Sequence, residues 1–190
     1  MMKIAILGWG SLIWQPKELA FDKEQDWQNK GAILPIEFAR ISKNGRLTLV
    51  ITSEGTELEA LYATSTYKMV EEAVLNLAVR EGSRRLSIGS YIKKDDIFNR
   101  NDFKFKKNIK NWIEQTDFDA VIWTNLGEKW KIEENGNERL ISKEKRLEYL
   151  KELRGNTSVL AEEYIRKTPV QITTKYRKLI EKELKWLPIS

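Results

Sequence analysis

The apolar residues of this chain change period near residue 66, and that single change limits the folds open to it. Before it, apolar runs are short, rich in β-branched residues and bounded by turn signals. Residues 3–7 form one such run, ending at Gly8. Residues 33–41 form another and lead into Asn44-Gly45, a hairpin turn pair. Residues 47–52 predict a central strand, and Glu54-Gly55 precedes a further strand over 58–63. After the change, Val70, Val74 and Leu77 recur at helical spacing beside Ala73 and Ala78. Thr66 is the expected N-cap of that helix and Gly82 its terminating residue.

Further along, residues 86–92 predict a strand and 93–107 a polar surface loop that contains Phe98, Phe103 and Phe105. Residues 109–115 predict a short helix, and 118–124 a buried strand. Helices are expected at about 142–153, 157–167 and 173–186, interrupted by Gly155-Asn156 and Pro169 and stopped at Pro188. The expected fold class is α+β. A mixed or antiparallel, partly closed sheet encloses a cavity, helices pack on it, and a helical cap follows at the C-terminus. The chain reads as one domain over 1–190, with its core in about 1–125 and a helical extension over about 142–190.

Composition narrows the chemistry. The 190 residues include neither cysteine nor histidine. Disulfides, thiolate nucleophiles, Ser-His-Asp triads and histidine-bound zinc are therefore excluded. A proton carrier has to be a carboxylate, a lysine, a tyrosine or a bound water. No spacing typical of a metal loop occurs, so no metal and no cofactor are expected. The apolar runs are shorter than the roughly 20 residues that span a membrane, and the first eight residues read as a strand rather than a leader. A cytoplasmic protein without membrane partners is the expectation.

The formal net charge of +5 is uneven. Residues 139–190 hold 13 basic and 7 acidic side chains, whereas the rest of the chain is nearly balanced. A basic surface with interleaved aromatics, as in Tyr164-Ile165-Arg166-Lys167 and Lys175-Tyr176-Arg177-Lys178, is one way to meet nucleic acid. Alternating lysine and glutamate on solvated helix faces is the other reading and the one adopted; nucleic acid is not expected as a partner.

Glu81 is the candidate for chemistry. It lies eleven residues after Val70, about 20° from it around the helix, on a face whose other members are apolar. It also falls in the last helical turn. Burial and the helix dipole both disfavour a bare negative charge there, the setting a carboxyl proton carrier needs. A helix-end ion pair with Arg80, Arg84 or Arg85 is the alternative. The second candidate element is Gly8-Trp9-Gly10-Ser11-Leu12-Ile13-Trp14, two glycines around an aromatic just after a strand. Such a loop can present successive N–H groups to a carboxylate or oxyanion, or it can be a tight turn between core tryptophans.

Gly8 to Trp14 resembles the N-terminal motif of the gamma-glutamyl cyclotransferase family, in particular the Gly-Tyr-Gly-Ser-Leu-Ile-Trp form of its glutathione-degrading branch. The stretch Leu75-Asn76-Leu77-Ala78-Val79-Arg80-Glu81-Gly82 is similar to the second family motif, in which a helix ends in a catalytic Glu preceded by Arg or Gln. Leu58 to Tyr62 and Asp119 to Asn125 resemble the strands around them. The likeness covers about residues 3–125. Trp9 stands where the family has tyrosine; Tyr62, Tyr91 and Trp123 are the candidates for the aromatic positions of its later strands.

The resemblance implies an enzyme of lyase type that cyclises a gamma-glutamyl group to 5-oxoproline and releases an amine or peptide. It implies Glu81 as catalytic acid/base and Gly8, Trp9, Gly10, Ser11 and Leu12 as substrate-binding. The leaving group stays open among glutathione, a gamma-glutamyl amino acid and a gamma-glutamyl amine. The alternatives are a binding or scaffold protein that keeps the fold without turnover, and a nucleic-acid-associated protein that uses the basic C-terminal third.

Overall fold

The computed structural model describes residues 1–134 and 137–189. In chain order the elements are β1 (Ile4–Gly8), β2 (Ile33–Ile41), β3 (Leu47–Ile51), β4 (Thr56–Glu59), β5 (Leu61–Thr64), α1 (Val70–Arg80), β6 (Ile88–Ile92) and β7 (Ile97–Phe98). There follow α2 (Lys106–Ile113), β8 (Ala120–Thr124), β9 (Lys131–Glu134), β10 (Asn137–Leu140), α3 (Arg146–Glu152), α4 (Gly155–Lys167) and α5 (Lys175–Leu184). The fold is α+β. Among the described residues its strands form three sheets, none closed into a barrel. Among the described residues no helix is long and apolar enough to cross a membrane.

The chain divides into two compact units. One comprises residues 1–34 and 59–126, the other residues 35–58 and 127–190. Residues 35–58 therefore belong with the C-terminal helices and not with the remainder of the N-terminal strands. That grouping could not be read from strand propensity, because β2 is buried along nearly its whole length whichever partner covers it.

The first unit holds a five-stranded sheet in the order β5-β1-β8-β6-β7. β1 runs parallel to β8, and the other pairings are antiparallel. Strand alternation sends Ile4 and Ile6 of β1, and Ala120 and Ile122 of β8, to one face, where they pack with Val70, Val74 and Leu77 of α1. Leu12, Leu19 and Phe21 join the same cluster, so the segment after β1 covers that face alongside α1. The helix stripe read from the sequence is thus the core face of α1.

The opposite face is aromatic. Tyr62 meets Trp112 of α2 and Phe118, with ring centroids 5.5 and 5.7 Å apart. Phe98 stacks on Tyr91 at 4.3 Å, and Phe103 lies 4.8 Å from Trp123. The polar loop expected over 93–107 is therefore partly core. Phe98 sits in strand β7, Phe103 is buried, and α2 begins at Lys106 rather than near residue 109. The charged residues between these aromatics hid them from a reading by average polarity.

Two features of this face can be tested. A Cβ added to Gly89 would lie 2.3 Å from the Trp123 ring. Gly89→Ala should therefore cost about 1–3 kcal/mol as overpacking, read by urea unfolding; an unchanged midpoint would mean that Trp123 has room to move. Tyr91 is buried, and its hydroxyl donates to the Asp96 carboxylate at 2.9 Å. Burial first, and the Asp96 carboxylate second, push its pKa up to about 12. The folded state thus prefers the neutral phenol. Its contribution to stability is complete below about pH 10, where the unfolded phenol begins to ionise, and is lost as pH rises toward 12. The alkaline fall in stability should be shallower in Tyr91→Phe.

The second unit holds the sheet β3-β2-β4 and the hairpin β9-β10. The β2–β3 turn is where Asn44-Gly45 predicts it; Gly45 has φ +71°, a conformation that favours glycine. Glu37 on β2 is 2% exposed and orders the start of α5. Its carboxylate accepts from Thr174 Oγ1 at 2.5 Å and from the Tyr176 N–H at 3.3 Å. Thr174 in turn caps α5 by accepting from the Arg177 N–H at 3.0 Å. Arg146 donates to the Phe38 carbonyl at 2.9 Å, with its guanidinium 3.7 Å from the Tyr176 ring centroid.

Candidate functional site

Helix α1 begins later than Thr66. Its N-cap is Met69, which supplies no side-chain cap. The reason lies in Ser65, which still pairs as a strand residue with Phe21 and whose hydroxyl accepts from the Tyr67 N–H at 3.2 Å. The chain around Thr66 is therefore committed to the sheet and cannot start a helix. The other end is as expected. Glu81 is the C-cap, and Gly82 takes φ +56°. The Gly82 N–H bonds the Val79 carbonyl and the Ser83 N–H bonds the Ala78 carbonyl, each at 3.0 Å. This double closure is the Schellman arrangement, which fixes where Glu81 sits.

Glu81 is ion-paired with its sequence neighbour. Arg80 Nη1 lies 2.6 Å from Glu81 Oε1, and the two side chains are 5% and 16% exposed. This is the helix-end pair the sequence allows, yet it is not a solvated one. The second terminal nitrogen of Arg80 donates to Ser11 Oγ at 3.2 Å and to the Gln15 carbonyl at 2.7 Å. One buried guanidinium thus joins the end of α1 to the segment after β1. Since a single guanidinium spans them, the Glu81 carboxylate and the Ser11 hydroxyl lie within about 8 Å of each other. One turn earlier on the same helix edge, Asn76 makes a second tie. It accepts from the Ala20 N–H and donates to the Glu18 carbonyl, both at 2.8 Å. Asn76 and Arg80 are positioning residues that helical periodicity alone does not single out; their i, i+4 spacing on one edge of α1 was the available signal.

The loop itself departs from a glycine-built nest. Neither Gly8 nor Gly10 has positive φ. Gly8 leaves room for the Trp27 ring, which a Cβ would meet at 2.6 Å, so it serves packing. Trp9 is buried, and Leu12 belongs to the core cluster beneath α1, so its side chain serves packing. The Ile13 N–H returns to the Gly10 carbonyl at 3.0 Å and the Gln15 N–H to the Ser11 carbonyl at 2.9 Å, which makes one helical turn. Among the described residues, no partner is bonded to the N–H groups of Gly10, Ser11 and Leu12. The turn can therefore offer backbone donors next to Glu81. Of the five loop residues, only Ser11 is tied through its side chain to the Arg80–Glu81 pair.

Tyr62, Tyr91 and Trp123 lie on the face opposite α1. Their register partners are Leu7 for Tyr62, Val121 for Tyr91 and Gly89 for Trp123, and their ring contacts are within the aromatic cluster. None of them joins Glu81. Among the described residues, no group of three or more Asp and Glu side chains is arranged to hold a metal ion.

What this arrangement offers is a carboxylate held by a buried cation, a hydroxyl, and a turn of unbonded amides. A carboxylate so placed can take a proton from an amine and return it, and the amides can receive negative charge on oxygen. No family model, curated protein or solved structure matches the chain.

Proposed function

We propose that this chain is a gamma-glutamyl cyclotransferase-type enzyme with Glu81 as its acid/base. The observation that carries the reading is the Arg80 guanidinium. It brings together Glu81 and Ser11, each from one of the two motifs that resemble the family, although 70 residues separate them in sequence. A span of about 8 Å suits one small substrate.

The chemistry needs no more than these groups. Glu81 takes a proton from the substrate α-ammonium, and the freed amine attacks the side-chain carbonyl of the same gamma-glutamyl group. A C–N bond forms and the carbonyl oxygen becomes an oxyanion, held by the N–H groups of residues 10–12. The oxyanion collapses and the bond to the departing nitrogen breaks as Glu81 returns its proton to that nitrogen. The freed carboxylate then takes the second proton from the new ring nitrogen and passes it to the departing amine, which leaves as an ammonium. The products are 5-oxoproline and the free amine or peptide. Because nucleophile and electrophile belong to one molecule, correct folding of the substrate supplies several kcal/mol of the barrier reduction. Arg80 fixes the Glu81 carboxylate through one of its terminal nitrogens.

The test is release of 5-oxoproline from a panel of glutathione, gamma-glutamyl amino acids and gamma-glutamyl amines. Release from at least one is expected. No release from any member would favour the second reading, a binding protein that keeps the site without turnover. That reading draws on the same ion pair, since a carboxylate engaged by a buried guanidinium is also a stable structural element.

A further inference from the structure

Buried polar side-chain atoms nearly always have partners, so the ones that do not are informative. In the first unit, Trp27 Nε1, Arg80 Nε, Ser83 Oγ, Trp123 Nε1 and Thr124 Oγ1 are buried without a hydrogen-bond partner among the described residues; Trp123 belongs to the aromatic face, which leaves four to consider together. The sheet register gathers them. Thr124 follows Ala120 and Ile122 on the strand face that α1 covers, and its cross-strand partner Ile88 is in the same core cluster. In the parallel pair β1–β8, Leu7 is matched with Trp123, so Gly8 and Thr124 come next, about one strand spacing of 4.8 Å apart. The Trp27 ring lies directly over Gly8 and packs on that same cluster. α1 ends beside the segment that follows β1, because Arg80 reaches Ser11 Oγ and the Gln15 carbonyl there; Glu81 caps the helix and Ser83 follows two residues later. The four unpartnered atoms thus share one end of one sheet face.

We infer that Trp27, Arg80, Ser83 and Thr124 form a subsite for the carboxylate of a small ligand. Two of the four atoms decide its sign. An indole N–H and a guanidinium Nε–H can only donate, whereas the two hydroxyls can do either. The guest must then be an acceptor. A carboxylate offers about four lone-pair directions and matches four donors with no polar atom left over. Three of the five N–H groups of Arg80 are already used by Glu81, Ser11 and Gln15, and its Nε–H remains open to a ligand. The inference deepens the proposed function and rests on it for the identity of the ligand. In that setting the subsite takes the substrate's α-carboxylate and leaves the amides of residues 10–12 for the oxyanion.

The test is binding, which is separable from turnover. Acetate, L-glutamate and 5-oxoproline are titrated by calorimetry into the wild type, Thr124→Val and Ser83→Ala. Thr124→Val keeps the side-chain shape and removes the hydroxyl. Without ligand it should be as stable as wild type or more so, because an unpaired buried hydroxyl has been removed. With 5-oxoproline or L-glutamate its affinity should fall about tenfold or more, the worth of one hydrogen bond to a charged group. Ser83→Ala should show the same pattern and stands in if Thr124→Val does not fold. Equal affinity in wild type and variants would overturn the inference, as would failure of all three carboxylates to bind the wild type. Weakened binding in the variants with no turnover of any gamma-glutamyl compound by the wild type would remove the proposed reaction and leave the subsite standing.

Discussion

Glu81→Gln should lower the rate of 5-oxoproline formation by roughly 10²–10⁴, the usual worth of a general acid/base. The change is close to isosteric and keeps an oxygen that can accept from Arg80 Nη1, so the tie from α1 to the loop should survive in weaker form. What disappears is the capacity to carry a proton. The effect should appear in single-turnover rate more than in binding, because the donors at Trp27, Ser83, Thr124 and the 10–12 turn are untouched. The helix-end reading orders the effects differently. There, Gln at position 81 would leave a buried guanidinium without its counter-charge and cost stability, with no kinetic defect beyond the unfolded fraction. Melting temperature and single-turnover rate on one preparation separate the two. Near-wild-type turnover in a folded variant would end the role assigned to Glu81.

Much of this site was legible in the sequence because it depends on local rules. The stripe Val70, Val74, Leu77 fixed which face of α1 is buried, and Gly82 fixed where the helix stops. Together they place Glu81 at the edge of the core, where it is found. The ties that Asn76 and Arg80 make to the segment after β1 were not legible, because their partners, Glu18, Ala20, Ser11 and Gln15, are 56 to 69 residues away. Glycine chemistry misled at Gly8, whose missing side chain is filled by Trp27, a tertiary contact that no local spacing announces. Thr66 misled for the same reason. Its N-cap propensity lost to the pairing of Ser65 with Phe21, which holds the chain in the sheet. The regrouping of residues 35–58 with the C-terminal helices has a similar origin. Glu37 looks like an ordinary strand carboxylate until it is seen to hold Thr174 and the start of α5, 137 residues away.

Arg177→Leu should destabilise the chain by about 3–5 kcal/mol, the cost of removing one side of a buried charged network. Arg177 lies in a segment that reads as basic and aromatic, Lys175-Tyr176-Arg177-Lys178, the pattern that motivated a nucleic-acid surface. The side chain is instead 1% exposed. Its guanidinium donates to the carbonyls of Thr168, Pro169 and Ile172 at 2.8, 2.5 and 3.1 Å, closing the turn between α4 and α5, and to Glu181 Oε1 at 2.9 Å. Burial presses the guanidinium toward its neutral form, and Glu181 opposes that. Leucine at this position would strand three carbonyls and one carboxylate at once. For a chain of this length the melting temperature should fall by about 10 °C. Tyr164 is likewise internal, lying edge-on to Phe38 and accepting from the Leu49 N–H at 3.3 Å. Arg166 and Lys167 are paired with Glu162 and Glu163 at 2.8 and 2.5 Å. A nucleic-acid surface predicts the reverse: Arg177→Leu would be thermally silent and would weaken retention on nucleic acid at low salt. Urea unfolding and a salt-dependent retention assay on the same variant distinguish a clamp from a contact. A melting temperature unchanged by Arg177→Leu would show that the three carbonyls find other donors, and the clamp would have to be given up.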